Sequence, residues 1–153
     1  MKLWRVTNAR FAATAMSGEG AYRYGGRWNS LGFRAVYLAE SVALAALEIV
    51  AHAGSVAERY VAFEVDVPTR LVVSVPWIDV APDWQRRDTW CRSVGDEWLT
   101  SQSSVCIRVP SAVLGAEVPD RNVVVNMAHP KASEIVVTKS FDLWLDERLG
   151  PPR

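Results

Sequence analysis

An acidic side chain stands alone in an apolar stretch of the sequence. Glu48 is the only Asp, Glu, Lys or Arg between Glu40 and Glu58. The helix predicted over residues 42–53 is apolar on nearly all sides, and such helices are normally buried on nearly all sides. Burying a carboxylate costs on the order of several kcal/mol unless it has a partner or opens onto a cleft. Glu48 therefore lies either on a solvated edge or in a cleft, and the missing polar face favours the cleft.

A glycine-rich segment at residues 25–32 could bind an anion. It reads GGRWNSLG, and its glycines allow the backbone to approach a ligand closely. Arg27 offers a planar fork for phosphate, and Trp28 offers a face for stacking. The segment matches neither a Walker loop nor a dinucleotide fingerprint. Taken alone, it could equally be a hairpin turn with an aromatic plug.

A hydroxyl group follows one of the predicted strands. Pro110 restricts the turn after the strand at 105–109, and Ser111 comes next, where it can hydrogen-bond a ligand or cap a turn. No Gly-x-Ser-x-Gly elbow surrounds Ser111, so a hydrolase nucleophile is not indicated. The two histidines and two cysteines have no metal-ligand spacing, and we expect no metal site.

The distribution of charge is more informative than its total. The chain has 17 Lys and Arg residues against 17 Asp and Glu residues, and a net charge of zero argues against a nucleic-acid binder. Residues 1–34 hold six basic residues and one acid, a local charge of +5. Fourteen of the basic residues are Arg, which grips phosphate or carboxylate in two places. This end of the chain is either a patch for an acidic partner or a site for an anionic ligand.

The elements that must position these residues do not alternate regularly. Apolar patterns predict strands over residues 2–7, 34–39, 61–67, 71–75, 105–109, 122–126 and 134–138. Helices are predicted over residues 42–53 (capped by Ser41 and closed by Gly54), 83–100 and 141–149, with a long loop over 8–29. This order favours an α+β fold with a mixed or antiparallel sheet. We expect a single domain over residues 1–153, with a disordered tail at 150–153.

No segment predicts a membrane span or a secretory signal. The longest stretch without an acidic or basic residue covers residues 98–107, ten residues, whereas a spanning helix needs roughly 18 or more. A cytoplasmic protein with reduced cysteines is expected.

The order of these motifs resembles the RES-domain toxins of bacterial toxin–antitoxin pairs. The resemblance covers roughly residues 3–137 and is carried by the following segments: WR at 4–5, GEGA at 18–21, GGRWNSLG at 25–32, VYLAES at 36–41, ALAALE at 43–48, GDEWL at 95–99, RVPSAV at 108–113, and NVVVN at 122–126 with HP at 129–130. The segments at 25–29 and 110–111 are the most specific of these.

The resemblance implies a fold and an activity. The fold would be a split mixed sheet like that of ADP-ribosyltransferases and diphtheria-type toxins, with NAD in the cleft. The chain would deplete NAD by hydrolysis or phosphorolysis of the nicotinamide–ribose bond, with inorganic phosphate as a possible co-substrate and no further cofactor. A protein ADP-ribosyltransferase and a non-enzymatic binding module remain alternatives.

The resemblance also implies roles for particular residues. The motif arginine would be Arg27, with Arg5 as a second candidate for the pyrophosphate. Glu48 would stabilise the developing ribosyl cation, and Ser111 would orient a ribose hydroxyl, the nicotinamide amide or phosphate. The set of predicted site residues is Arg5, Arg27, Trp28, Tyr37, Glu48, Ser111 and Asn126, with Trp28 and Tyr37 packing against the nicotinamide ring. The expected partner is an Xre-type helix-turn-helix antitoxin that covers the cleft, with no direct nucleic-acid or membrane binding by this chain.

Overall fold

The described residues of the chain form one seven-stranded sheet with three α-helices. The computed structural model describes residues 1–53, 56, 58–74 and 83–150. The strands are β1 (Lys2–Asn8), β2 (Ala35–Ala39), β3 (Tyr60–Asp66), β4 (Val72–Ser74), β5 (Cys106–Pro110), β6 (Arg121–Asn126) and β7 (Val136–Leu143). The α-helices are α1 (Glu19–Tyr24), α2 (Val42–Ala53) and α3 (Asp88–Ser101). Short 3-10 turns include Ala9–Thr14, Thr69–Leu71, Trp84–Arg86, Pro130–Glu134 and Glu147–Leu149.

The sheet divides into two halves. Its strand order is β4-β5-β6-β2-β1-β3-β7, and only β4 and β5 run parallel, so the sheet is mixed. The strands within each half pair along most of their length, but β1 and β2 are in register at a single residue pair, Trp4 with Ala39. The α+β class with a split mixed sheet is therefore confirmed, and the split leaves a cleft between β1 and β2.

Alternation along β6 shows how the sheet separates two cores. Val123 and Val125 are fully buried in one apolar cluster, whereas Val124 belongs to a second cluster on the opposite face. A third cluster joins α2 to β1 and β3 through residues such as Leu44 and Tyr60. Among the helices of the described residues, none is long and apolar enough to cross a membrane.

Helix α2 begins where the sequence predicts. The Leu44 amide donates to Ser41 Oγ at 3.1 Å, which is the cap expected at the start of the helix. Ser41 Oγ in turn donates to Asp120 Oδ2 at 2.9 Å, and this bond ties the helix start to the loop before β6. The predicted closing residue, Gly54, lies outside the described residues. These contacts fix the orientation of the helix that carries Glu48.

Two predictions of secondary structure are wrong. Residues 8–29 are not an irregular loop, because they contain the 3-10 turn Ala9–Thr14 and helix α1. Residues 141–149 are not a helix, because β7 continues to Leu143 and pairs there with Tyr60 of β3. Phe141, Leu143 and Leu145 all pack on the third cluster, and their spacing of two is that of a strand. Residues 151–153 of the predicted disordered tail lie outside the described residues.

Candidate functional site

The split in the sheet opens into a cleft of about 640 Å³. Its walls come from β1, β2, α2, the start of α3, and the GGRWN loop (residues 25–29) that follows α1. This volume lies within the range of about 300–1,000 Å³ usual for small-molecule sites. Of the predicted site residues, Arg5, Arg27, Trp28, Tyr37 and Glu48 line the cleft, whereas Ser111 and Asn126 do not.

Glu48 extends from α2 into the cleft and is half-buried. Its Oε1 accepts a hydrogen bond from Ser111 Oγ at 2.7 Å and another from Asn122 Nδ2 at 2.6 Å. Among the described residues no donor contacts the second oxygen, Oε2. The carboxylate is thus held at one oxygen while the other is open to a ligand, which agrees with the cleft position expected from the sequence.

Ser111 acts on Glu48 and is out of reach of a ligand. Its side chain is fully buried, and its Oγ accepts hydrogen bonds from the amides of Val113 and Leu114 at 3.1 and 3.2 Å. Its own proton is donated to Glu48. The hydroxyl therefore caps the turn after β5 and positions the carboxylate, and the expected direct contact with a ribose hydroxyl, nicotinamide amide or phosphate does not fit this burial.

Tyr37 fastens the GGRWN loop to the sheet. Its hydroxyl donates to Asn29 Oδ1 at 2.6 Å and accepts from the Trp28 amide at 3.0 Å. Burial raises the pKa of the Tyr37 phenol, so the hydroxyl is neutral at physiological pH. Gly26 lies so close that an added Cβ would be 2.5 Å from this hydroxyl. The ring of Tyr37 still lines the cleft, where it can pack against a flat ligand.

Trp28 is a core residue. Only 2% of it is exposed, and its ring stacks on Trp84 with centroids 5.7 Å apart and planes at 25°. Helix α3 packs against its backbone at Gly95, where an added Cβ would be 1.8 Å from the Trp28 carbonyl oxygen. The expectation that Trp28 offers its face to a ligand is therefore corrected, because that face is used within the protein.

Arg5 is a cation without a carboxylate partner among the described residues. Its Nη1 donates to the Tyr37 carbonyl at 3.0 Å, its Nε is buried without a partner, and no described acid lies within ion-pair distance of it. Burial lowers the pKa of the guanidinium to about 10, so it remains charged at neutral pH. A charged, under-bonded guanidinium on the wall of a cleft is suited to an anionic ligand.

Arg27, the other predicted arginine, is already engaged. Its Nη1 contacts both Asp88 Oδ1 and the Gln85 carbonyl at 2.9 Å. The structure therefore favours Arg5 over Arg27 as the anion-binding group.

A third cleft-lining arginine, Arg92, was not singled out from the sequence. Its Nε donates to the Gly26 carbonyl at 3.2 Å, and no carboxylate pairs with it within the described part of the chain. Arg92 follows Asp88 by four residues and so shares its face of α3. That spacing is the sequence signal that could have located it.

Asn122, rather than Asn126, is the asparagine of the cleft. Asn126 is buried, with Nδ2 donating to the Leu99 carbonyl and Oδ1 accepting from the Ala128 amide, both at 3.1 Å. Its predicted role in substrate binding therefore does not fit its position. Both asparagines lie on the same face of β6, but four residues apart, and only Asn122 is near Glu48. The alternation of side chains along β6 indicates which residues share a face of the sheet. It does not indicate which end of the strand contacts α2.

The positive charge of residues 1–34 does not form one patch. Lys2 pairs with Glu64, Arg27 pairs with Asp88, and the pairs Arg23–Glu19 and Arg34–Glu19 share one acid. Counting the described acids, these ion pairs leave Arg5 as the cation of this segment that faces the cleft without a carboxylate partner. Across the described residues, no group of three His, Cys, Asp or Glu side chains could hold a metal ion.

The cleft of this split α+β sheet holds a carboxylate that is hydrogen-bonded at one oxygen, together with a guanidinium that has no carboxylate partner among the described residues. These features define a class of protein that can bind an anion and stabilise positive charge beside it. A sequence model of the RES domain family matches residues 2–146. The chain belongs to the RES domain family.

Individual relatives agree with this assignment. The chain is 36% identical over 155 residues to Toxin Res of Photorhabdus laumondii, with 97% of each chain covered. It is 35% identical over 156 residues to the Prs ADP-ribosylating toxin of Sphingobium sp., with 95% of this chain and 94% of that protein covered. Its structure is similar to the crystal structure of the M. tuberculosis MbcT–MbcA toxin–antitoxin complex, with a TM-score of 0.70, 25% identity, and 94% of this chain and 84% of that chain covered.

Proposed function

We propose that this chain is the toxin of a toxin–antitoxin pair and that it depletes cytoplasmic NAD by breaking the nicotinamide–ribose bond. The observation that carries the proposal is the placement of Glu48, with one oxygen held and one open, in the same cleft as the unpaired Arg5. Similarity to proteins called Toxin Res supports the role of toxin.

The chemistry of NAD fits the charges of the cleft. The pyrophosphate is anionic, and Arg5 and Arg92 are the cleft arginines without carboxylate partners among the described residues. When the glycosidic bond breaks, its electron pair leaves with the nicotinamide nitrogen and positive charge develops on the ribose. The open oxygen of Glu48 stabilises this charge, as carboxylates do in glycoside hydrolysis. The Tyr37 ring supplies an apolar surface for the departing nicotinamide.

The group that attacks the ribose determines the products of the reaction. Water attack gives ADP-ribose, nicotinamide and a proton, whereas attack by inorganic phosphate gives a phosphorylated ADP-ribose. Both routes use the same cleavage step and need no metal or further cofactor. NAD is therefore proposed as a substrate, with phosphate as a possible co-substrate.

A protein side chain is the alternative acceptor. The 35% identity to a protein called Prs ADP-ribosylating toxin favours this second candidate, mono-ADP-ribosylation of a target protein. It shares the cleft and the roles of Arg5 and Glu48, and differs only in what attacks the ribose. Radiolabel from the adenylate of NAD would then become covalently attached to protein.

The proposed partner is an antitoxin that covers the cleft. Similarity to the toxin–antitoxin complex MbcT–MbcA supports a partner of this kind. The Xre helix-turn-helix type is proposed from the family resemblance of the sequence. On this proposal the partner, and not this chain, contacts DNA.

Nicotinamide release by purified protein tests the activity. We expect wild-type protein to release nicotinamide from NAD, and Glu48→Gln to reduce the rate by at least about 100-fold. Glu97→Gln is the matched control, because Glu97 is an exposed helical glutamate outside the cleft. Phosphate-dependent rates would indicate phosphorolysis. A binding module without activity would release no nicotinamide, and equal rates for E48Q and E97Q would remove Glu48 from the mechanism.

A further inference from the structure

Two side chains from neighbouring strands hold the same oxygen of Glu48. Ser111 follows β5 and Asn122 lies in β6, where Asn122 is in register with Val109. Ser111 Oγ and Asn122 Nδ2 are 2.7 and 2.6 Å from Glu48 Oε1. The sheet thus delivers two donors to one carboxylate that arrives on a helix from the other side of the cleft.

The Asn122 side chain can only act on Glu48 as a donor. An ionised carboxylate accepts hydrogen bonds and donates none, so the amide atom that contacts it is Nδ2. Hydrogen bonds to a charged acceptor are short and strong, and 2.6 Å is at the short end of their range. The backbone of Asn122 pairs with Ala39 on one side and Val109 on the other, so the donor is carried by a rigid part of the sheet.

Asn122 differs from Ser111 in its access to the cleft. Ser111 is fully buried and holds a turn as well as Glu48. Asn122 is half-buried and lines the cleft itself. Its contact with Glu48 therefore lies on the wall of the cleft, beside the oxygen Oε2 that is open to a ligand.

We propose that Asn122 is a positioning residue that fixes Glu48 Oε1 and thereby aims Oε2 at the ribose of the substrate. This inference rests on the proposed NAD-cleaving function. Because the aimed oxygen acts on charge that develops only in the transition state, Asn122 contributes to kcat and hardly to KM.

Substitution by Asp provides a readout that a structural role alone would not give. In Asn122→Asp a second carboxylate replaces the donor, and at neutral pH the two like charges repel and turn Glu48 away. As the pH falls, the introduced carboxyl group takes up a proton and can again donate to Glu48. The activity of N122D relative to wild type is therefore expected to rise as the pH falls from 8 to about 5.

The experiment measures kcat and KM for nicotinamide release across this pH range. We expect N122D and N122A to lose about 10- to 100-fold in kcat at pH 8 with KM changed less than about threefold. The kcat of N122S, which retains a shorter donor, should lie between those of N122A and wild type. This variant tests the role of Asn122 if N122D does not fold. Asn8→Asp is the matched control, because Asn8 lies outside the cleft and caps a turn that Asp caps equally well.

The possible failures are distinguishable. Parallel pH profiles for N122D and wild type, or equal kcat values for N122A, N122S and wild type, would overturn the role of Asn122 and leave the proposed function standing. Wild-type protein that releases no nicotinamide would remove both proposals. Thermal unfolding of each variant reports whether a lost activity reflects a lost fold.

Discussion

A charged guanidinium without a carboxylate partner is costly inside a protein, and no carboxylate among the described residues pairs with Arg5. Within the described part of the chain its Nε has no hydrogen-bond partner, and its Nη1 donates to the Tyr37 carbonyl. Buried charges that lack compensation destabilise a fold by several kcal/mol. A residue that costs stability and faces a cleft is best explained by a ligand that supplies the missing charge.

Replacing Arg5 should separate stability from binding. Arg5→Met removes the unpaired charge and keeps an apolar stem, so we expect the free energy of unfolding to rise by about 1–3 kcal/mol while NAD affinity falls at least tenfold. Urea unfolding and calorimetric titration of NAD in the E48Q background measure the two quantities. Arg27→Met is the comparison, since it breaks the pair with Asp88 and should not stabilise the protein. A less stable R5M protein with normal affinity would contradict this account.

The pH dependence of stability gives an independent check on Arg5. Burial lowers its pKa from the ordinary arginine value to about 10 in the folded state, so above about pH 10 the unfolded chain binds more protons than the folded one. Stability attributable to Arg5 therefore rises with pH through this window, and the penalty is complete below about pH 10. We expect the stability advantage of R5M over wild type to be constant between pH 8 and about pH 10 and to narrow between pH 10 and pH 11. An advantage that stays constant up to pH 11 would mean that Arg5 has an ordinary environment.

At the scale of elements, the cleft depends on how α3 meets the GGRWN loop. Asp96 accepts a hydrogen bond from the Ser30 amide at 2.8 Å, and Arg92 reaches the Gly26 carbonyl. Gly95 allows the helix to approach the loop backbone closely. The loop is therefore held from two sides, by α3 and by the hydroxyl of Tyr37 in β2.

A methyl group at Gly95 should push this contact apart. In Gly95→Ala the new Cβ would be 1.8 Å from the Trp28 carbonyl oxygen, and the backbone on both sides has to move. We expect a loss of about 1–3 kcal/mol or more in the free energy of unfolding, together with weaker NAD binding. Gly20→Ala is the control, because nothing lies within 4 Å of its Cβ and it should stabilise α1 by about 0.5–1 kcal/mol. Equal stability of the two variants would show that α3 does not set the position of the loop.

The sequence predicts elements better than it predicts partners. The cap at Ser41, the apolar helix around Glu48 and the apolar patterns of β3 and β6 are local signals, and the structure has a helix and two strands at these places. The partners of a side chain depend on residues far away in the chain. Arg27 is neutralised by Asp88, 61 positions later, and the Glu48 oxygen is held by Asn122, 74 positions later. No local pattern reports such contacts.

The incorrect prediction of a helix over residues 141–149 has a related cause. Leu143 and its neighbours can be read at helical or strand spacing, and only the pairing of β7 with β3 decides between them. The burial of Trp28 is likewise decided by Trp84 and α3, which arrive from elsewhere in the chain. Tertiary contacts thus determine which of several locally acceptable structures forms.

At the scale of the whole molecule, the cleft exists because the two halves of the sheet are joined by little backbone pairing. Trp4 and Ala39 form the single register pair between β1 and β2. Arg5 lies in β1, Tyr37 lies in β2, and Glu48 reaches the cleft from α2, which packs on the β1 side of the split. A ligand that contacts these three residues therefore bridges both halves and adds its binding free energy to that of the fold.

Thermal unfolding should detect this bridging. On the proposed function, Glu48→Gln should bind NAD without consuming it, and a ligand at about 100 times its Kd stabilises the folded state by about 2.7 kcal/mol. For a chain of this size that corresponds to a rise of roughly 5–10 °C in Tm. The double variant R5M/E48Q should show little shift at the same NAD concentration, because it lacks the charge proposed to hold the pyrophosphate. The control R10M/E48Q should shift like E48Q, since Arg10 lies outside the cleft. Equal shifts in all three proteins would place the NAD phosphates somewhere other than Arg5.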